Sequence, residues 1–235
     1  QVGGVIGTAG MWDRGTGKHC SAKNVQVTGI QACGLFVGNP DTSFEDCHAD
    51  GILTILARDD VRRNGGFSAT ANNYKYTRCS AIATVHIEAP IGEQETEFGG
   101  FSARNNNGRH EDCFARFTLA SGEATVLGGY HAMLVDTNGP PRIKRCYAQS
   151  GITDAKGFID DISLIETPGN FEVEDCYFEG PAEGEMVNSH GATALRPAAA
   201  GLHRPAGAAG RWRRWRSSRG WTRGSPGARH LPALR

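Results

Sequence analysis

The chain has 235 residues, of which 25 are basic and 25 acidic, and its mean hydropathy is -0.40. No stretch approaches the roughly 20 apolar residues that cross a bilayer as a helix, so the composition fits a soluble protein with a thin core and predicts no membrane partner. The balanced charge conceals two segments of opposite sign, because residues 196–235 hold ten arginines and no acidic residue.

Five cysteines recur at a near-constant interval along the first segment. They stand within "FEDCHADG", "YTRCSAIA", "HEDCFARF", "IKRCYAQS" and "VEDCYFEG", and the steps between them are 32, 34, 33 and 30 residues. A constant period of this length indicates stacked structural repeats. The five are Cys47, Cys79, Cys113, Cys146 and Cys176.

Each repeat opens with a glycine followed by a large apolar residue. Twelve residues before the first three cysteines this residue is Leu35, Phe67 or Phe101, and "GGYHA" and "KGFID" mark the next two repeats. Turn-forming stretches such as "GNPD", "NNNG" and "PGN" follow, since Asn, Gly and Pro accept the backbone angles of turns. Short segments rich in Phe, Tyr, Val, Ile and Thr lie between them and are typical of strands. The sequence therefore predicts three short strands per repeat.

The apolar spacing of amphipathic helices is absent, so a helical repeat protein is not expected. Three short strands per repeat describe a coil that pairs with the next coil at about 4.8 Å. The predicted fold class is all-β, a single-stranded parallel β-helix of about five to six coils, each of about 30 to 34 residues. We expect this domain to occupy residues 1–195.

On this geometry the repeated cysteines form one inward ladder of free thiols that pack as small apolar side chains. The two residues before each cysteine form an outward corner, and the sign of its charge alternates from coil to coil. Opposite charges one rung apart attract, so a slipped register would set acid against acid. The corner pairs are Glu45-Asp46, Thr77-Arg78, Glu111-Asp112, Lys144-Arg145 and Glu174-Asp175.

Two of the seven cysteines, Cys20 and Cys33, fall outside this predicted ladder, and the sequence leaves open whether they pair with each other. The odd total argues against a framework of disulfides. No Cys-x-x-Cys spacing occurs, which argues against a metal site built from cysteines.

Residues 196–235 follow different rules. They contain three of the four tryptophans, and the composition changes abruptly after "MVNSHGATAL". This is what GC-rich DNA encodes when read out of frame, so we expect a disordered or out-of-frame tail. The alternative is an arm that binds nucleic acid through Arg and Trp, and nucleic acid is expected as a partner only through this tail. An out-of-frame tail would leave the last coil without its successor, which predicts end-to-end self-association.

The repeats, with their Asn-bearing turns and inward ladders, resemble the right-handed parallel β-helix of the pectate-lyase-like superfamily over about residues 20–190. That superfamily includes polysaccharide lyases, glycoside hydrolases, uronate epimerases, phage tailspikes and adhesins, so the resemblance implies an architecture and not one activity. Fragments of the polygalacturonase signature occur as "RIK" and "DD", but the "GHG" between them is missing. The charged corner already explains Lys144 of "RIK", so polygalacturonase activity is not predicted.

The segments between each cysteine strand and the next Gly-aromatic pair vary most, and insertions mark the functional edge of a solenoid. They should stack into one lateral wall, where acidic residues of neighbouring coils hold Ca²⁺ through oxygen ligands. A nearby basic side chain would abstract the proton next to a uronate carboxylate while the metal stabilises the developing charge. The candidate metal ligands are Asp59, Asp60, Glu93, Glu95 and Glu97, and the candidate catalytic residues are Arg62, Arg63, Lys156 and His131.

Each candidate also has a structural interpretation, because charged clusters are often structural. The three glutamates alternate as an exposed edge does, and the two arginines have Asp59 and Asp60 beside them as partners. His131 follows Tyr130 on a strand, as a structural histidine does.

Two functions from different classes follow. The first is a polysaccharide lyase or related hydrolase that acts on an acidic, uronate-containing polysaccharide. The alternative is a noncatalytic solenoid, such as a tail-fibre, adhesin or glycan-binding surface module, for which a trimer is one expected form. A polysaccharide partner predicts a secreted or extracellular protein, and no leader is visible in the opening residues "QVGGVIGTAG".

Overall fold

The chain forms a β-solenoid of about five turns, built from short parallel strands. The structure is a computed structural model, and it describes residues 2–8, 15–57, 60–89, 95–150, 155, 157–167 and 169–179. Within these ranges the regular elements are strands and none is a helix, so the all-β prediction is confirmed. It follows that no helix in the described ranges is long and apolar enough to span a membrane. Residues 180–235, with the predicted tail, lie outside them.

Equivalent strands of successive turns pair in parallel into four sheets, A to D. Sheet A comprises β1 (Val2–Gly3), β5 (Cys33–Gly34), β9 (Arg62–Gly65), β13 (Thr96–Gly99) and β17 (Val126–Gly128). Sheet B comprises β2 (Ile6–Thr8), β6 (Val37–Asn39), β10 (Ser68–Asn72), β14 (Ser102–Asn106), β18 (His131–Val135) and β21 (Ile159–Leu164). Sheet C comprises β3 (Thr16–Lys18), β7 (Ser43–Glu45), β11 (Lys75–Thr77), β15 (Arg109–Glu111), β19 (Arg142–Lys144) and β22 (Glu172–Glu174). Sheet D comprises β4 (Ser21–Gly29), β8 (His48–Ile55), β12 (Ser80–Ile87), β16 (Phe114–Ser121), β20 (Tyr147–Ser150) and β23 (Tyr177–Glu179).

A turn holds up to four strands, where the sequence predicts three. The additional strand is that of sheet A, and β9 and β13 occupy segments that we predicted to be variable loops. These strands have no more than four residues and include polar ones such as Arg63 and Glu97, so no apolar alternation marks them. Backbone pairing between turns makes them strands, since Arg63 aligns with Glu97 in the ladder.

The glycine before the predicted Gly-aromatic pair lies in a tight corner between sheets A and B. Gly65 aligns with Gly99, and Gly99 aligns with Gly128. A Cβ atom on Gly99 would lie 2.0 Å from the carbonyl oxygen of Ser102. No side chain fits there, so glycine is required by the close approach of the two strands.

The aromatic residue after each corner stacks on its equivalent in the next turn. Adjacent ring centroids are separated by 4.7 Å for Phe36–Phe67, 4.8 Å for Phe67–Phe101, 5.1 Å for Phe101–Tyr130 and 4.8 Å for Tyr130–Phe158. These five rings are almost fully buried and form a continuous apolar stack through the solenoid.

The first ring of this stack is Phe36, and the prediction that Leu35 holds this position is wrong. Gly34 aligns with Gly65, so Leu35 takes the place of the second corner glycine and Phe36 takes the place of Phe67. The spacing of twelve residues to the cysteine shortens to eleven in this turn, because the step from Val37 to Phe44 is one residue shorter than the step between their partners Ser68 and Tyr76.

The inward cysteine ladder is confirmed, since all five predicted members are buried. Cys20 extends it, contrary to the prediction that it lies outside. Lys18 aligns with Glu45 and Ser21 with His48, which places Cys20 opposite Cys47. Cys20 is exposed and Cys33 is buried, and both are free thiols.

The charged corner is also confirmed. Its second residue has a left-handed backbone in each predicted pair, with φ of 53° at Asp46, 54° at Arg78, 57° at Asp112, 51° at Arg145 and 51° at Asp175. Arg78 Nε donates to Asp46 Oδ1 at 2.6 Å, and Arg145 Nε donates to Asp112 Oδ1 at 2.7 Å. The guanidinium of Arg78 is thus paired with carboxylates of the preceding turn, so its role in this corner is structural.

Candidate functional site

The sequence-predicted wall corresponds to the connections from sheet D to sheet A. Asp59, Glu93 and Lys156 lie outside the described residues, so their predicted roles stay predictions. Arg62 and Arg63 belong to β9, and Glu97 belongs to β13. The structure therefore brings together the arginines and one glutamate of the predicted cluster, in adjacent turns.

Arg62 is fully buried beneath this wall. Its Nη1 atom donates to the carbonyl oxygens of Leu56 at 3.1 Å and Glu88 at 2.8 Å, and Nη2 donates to Thr96 Oγ1. Burial lowers the pKa of its guanidinium, and the nearby Glu88 carboxylate partly offsets this effect. Arg62 thus ties together the backbone of two turns, and in this arrangement it does not face solvent.

Glu97 lies between two arginines at the outer side of the A–B corner. Arg104 Nε donates to Glu97 Oε2 at 2.7 Å, and Arg63 Nε lies 3.8 Å from the same oxygen. The Glu97 side chain is 0% exposed, so the expectation that it forms part of an exposed edge is wrong. Arg63 from the neighbouring strand and Arg104 from sheet B lie against the carboxylate, and these arginines neutralise its charge.

The remaining described acidic candidates, Asp60 and Glu95, contact different residues. Gln31 Nε2 lies 3.4 Å from Asp60 Oδ2, and the carbonyl oxygen of Glu95 accepts the Arg62 amide at 3.1 Å. Across the described ranges no group of three or more His, Cys, Asp and Glu side chains has the geometry of a metal site. Two of the five proposed Ca²⁺ ligands lie outside those ranges, so the Ca²⁺ site stays a prediction.

His131 points into the solenoid and away from the wall. Its Nδ1 atom lies 2.8 Å from Ser102 Oγ, and its Nε2 atom lies 3.3 Å from Asn105 Nδ2. Burial lowers the pKa of His131 to about 3, and burial likewise holds the pKa of neighbouring His110 well below its ordinary range. Both imidazoles are therefore neutral at physiological pH, and His131 is part of the polar interior.

A row of aromatic side chains on the outer face of sheet D was not predicted from the sequence. Phe114 aligns with Tyr147, and Tyr147 aligns with Tyr177. The rings of Phe114 and Tyr147 are nearly parallel, with centroids 5.4 Å apart, and Tyr177 is 51% exposed. Each follows a ladder cysteine directly, so the outward aromatic position was visible in "DCFA", "RCYA" and "DCYF" once the cysteine was known to point inward.

A row of planar polar side chains runs beside the aromatic row. Arg116 aligns with Gln149, and Gln149 aligns with Glu179. The Tyr147 hydroxyl donates to Glu179 Oε2, and Gln149 Nε2 donates to the same oxygen at 3.2 Å. Arg116 is exposed and makes no ion pair or hydrogen bond with its side chain to any residue that the structure describes. Arg116 is therefore an exposed cation, without an ion pair to the described residues, next to ordered hydrogen-bonding groups.

Comparison of the chain with protein-family models, with curated proteins and with solved structures found no match. The parallel β-solenoid is thus established from the structure itself, and the resemblance to the pectate-lyase-like superfamily remains an expectation.

Proposed function

We propose that this protein is a solenoid that binds an acidic, uronate-containing polysaccharide on the outer face of sheet D and does not cleave the polymer backbone. The observation that supports this most is the pair of parallel rows on that face, Phe114–Tyr147–Tyr177 and Arg116–Gln149–Glu179. This is the glycan-binding alternative of the two functions that the sequence predicts.

The chemistry of the two rows suits a uronate. Aromatic side chains pack against the C–H groups of a sugar ring, and a planar guanidinium makes two parallel hydrogen bonds to a carboxylate. Gln149 and Glu179 supply donors and acceptors for hydroxyl groups, and Tyr147 already orders Glu179. The rows cross three strands, β16, β20 and β23, which have eight, four and three residues.

The burial and the existing hydrogen bonds of two candidate catalytic residues favour binding over cleavage. Arg62 is occupied by backbone carbonyl groups, and His131 lies in the interior. Neither can reach a substrate on the outer surface without rearrangement of the fold.

A Ca²⁺-assisted lyase or related hydrolase is the second candidate function. It is supported by Arg63, whose side chain is 39% exposed and adjoins the Glu97 carboxylate at the end of the predicted wall. In that case Arg63 would contact the uronate carboxylate, and acidic residues of the wall would hold the metal.

One experiment separates these functions with two matched substitutions. An oligogalacturonate and a neutral galactose oligomer of equal length are titrated into the wild type, Arg116→Gln and Arg63→Gln in a calorimeter. Because a charge-assisted hydrogen bond contributes about 1.5 kcal/mol or more, we expect Arg116→Gln to weaken oligogalacturonate binding about tenfold. Arg63→Gln should leave it unchanged, and the neutral oligomer should bind weakly to all three.

The same samples, incubated with polygalacturonate and Ca²⁺, report on cleavage through the ultraviolet absorbance of unsaturated product and through new reducing ends. Our proposal predicts neither signal. Cleavage that Arg63→Gln abolishes would replace it by the lyase function, and equal oligogalacturonate binding by Arg116→Gln and wild type would remove sheet D as the site.

An extracellular location accompanies this proposal, since the ligand is a polymer found outside cells. We also propose a trimeric or end-to-end assembly. Light scattering of the eluting protein tests the assembly, and a monomer at all concentrations would contradict it.

A further inference from the structure

A serine and a histidine meet at the exposed edge of sheet D, next to the wall. His86 on β12 has its Nδ1 atom 2.9 Å from the Oγ atom of Ser121 on β16. Ser121 is exposed and His86 is half-buried, so solvent and a ligand have access to the hydroxyl. Nucleophilic catalysis by serine requires such a contact, in which the hydroxyl is the nucleophile and the imidazole is the general base.

A β-bulge creates this contact. Val85 pairs with Leu119, but the next pair is His86 with Ser121, so Ala120 is the additional residue of β16. Without the bulge, Ala120 would face His86 and Ser121 would take an inward position. Bulges re-aim side chains and are common next to active sites, so this irregularity has a specific consequence for Ser121.

The backbone after the serine turns sharply. Gly122 has a φ of 84°, and a Cβ atom there would lie 1.8 Å from the carbonyl oxygen of Ile87. The amide groups of Gly122 and Glu123 donate no hydrogen bond to the residues that the structure describes. Because they follow Ser121 directly in the chain, they are the backbone donors that an oxyanion formed at this serine would use.

We propose that Ser121 and His86 form a second site on this face, a dyad that hydrolyses acyl esters. Ser121 Oγ attacks the ester carbonyl carbon while its proton passes to His86 Nδ1, and the Gly122 and Glu123 amides stabilise the oxyanion. The bond from the carbonyl carbon to the alcohol oxygen then breaks, and the leaving alcohol takes the proton from His86. Water, deprotonated by His86, attacks the acyl-serine, which releases the carboxylic acid and restores Ser121.

The alcohol that leaves is a sugar hydroxyl, so the natural substrate class is an O-acetylated polysaccharide. This assignment of the alcohol rests on the proposed binding function, whereas the acyl-transfer chemistry does not. Ser121 lies on the same outer face as Phe114 and Arg116, at the opposite end of β16, so a polymer that reaches the dyad crosses the aromatic row and follows β16.

The chain contains a matched control for the dyad. His48 Nδ1 lies 3.0 Å from Ser80 Oγ, also between adjacent strands of sheet D. Ser80 is only 4% exposed, and the register there is regular, without a bulge. A reagent that requires an accessible, activated serine should therefore distinguish the two serines.

The test uses a fluorophosphonate probe and p-nitrophenyl acetate on the full chain, in the absence of polysaccharide. We expect stoichiometric labelling at Ser121, identified by peptide mass, in the wild type and in Ser80→Ala. Labelling and acetate release should vanish in Ser121→Ala and fall at least about tenfold in His86→Gln, which keeps a hydrogen bond to Ser121 but provides no base.

Two results would overturn the dyad. One is a wild type that neither labels nor releases acetate, and the other is labelling that survives in Ser121→Ala. Because neither probe involves a sugar, failure here leaves the binding test on Arg116 unaffected. Acetate release from the probe ester together with none from an O-acetylated uronan would overturn the substrate class alone.

Discussion

Replacing Phe101 by alanine is expected to destabilise the solenoid more than any other single aromatic truncation. Phe101 is fully buried and lies in the middle of the ring stack, with centroids 4.8 Å from Phe67 and 5.1 Å from Tyr130. Truncating a buried Phe to Ala costs about 3–5 kcal/mol, through lost burial and the cavity that remains. Each stacked pair adds about 0.5–1.5 kcal/mol, so the upper part of that range applies.

Urea denaturation followed by circular dichroism measures this change in the free energy of unfolding. Phe114→Ala is the matched control, because Phe114 is an outward aromatic residue that stacks on one neighbour only among the described rings. Its loss should cost about 1 kcal/mol. A Phe101→Ala variant that loses less than about 1 kcal/mol, or no more than Phe114→Ala, would show that the ring stack does not form the core.

Three further predictions concern pH, the corner glycine and the charge ladder. His110 and His131 stay neutral in the folded protein, whereas histidines of the unfolded chain take up protons below a pH of about 6.5. The free energy of unfolding should therefore fall below this pH, by up to about 1.4 kcal/mol per pH unit for each of the two histidines. Equal urea midpoints at pH 7 and pH 5 would contradict this. Gly99→Ala should cost at least about 2 kcal/mol in the same assay, because its Cβ meets backbone, and a neutral effect would disprove the tight corner. Arg145→Glu faces Glu111 with a like charge, so it should cost about 1 kcal/mol at low salt and less at high salt, where an unchanged loss would exclude electrostatics.

The periodic part of the fold could be predicted because stacked turns repeat their chemistry. The cysteines and the alternating corner charges identify positions that contact their equivalents in the next turn, so one spacing determines many contacts. Tyr76 and Phe67 are buried for the same reason, as members of inward rows.

The strands of sheet A could not be predicted in this way. They are too short to show an alternation of apolar and polar residues, and contacts across the corner between sheets A and B hold their outward residues. Glu97 is charged yet buried, because Arg63 and Arg104 approach it from a neighbouring turn and a neighbouring sheet. No local pattern in "EQETEF" predicts that Glu97 is buried between these arginines.

The contact between Ser121 and His86 was equally hidden, since it depends on a bulge. Counting residues from the ladder cysteine places Ser121 on the inner face, and the extra residue Ala120 reverses that direction. The aromatic row on sheet D was accessible from the sequence, because it needs only the direction of the adjacent cysteine.

Backbone amide chemical shifts recorded during titration with trigalacturonate show on which of the four sheets the ligand binds. We expect changes that cluster on β16, β20 and β23 around Arg116 and Tyr147, and that disappear in Arg116→Gln. Changes that cluster on β9 and β13 around Arg63, or no changes at saturating ligand, would contradict binding on the outer face of sheet D.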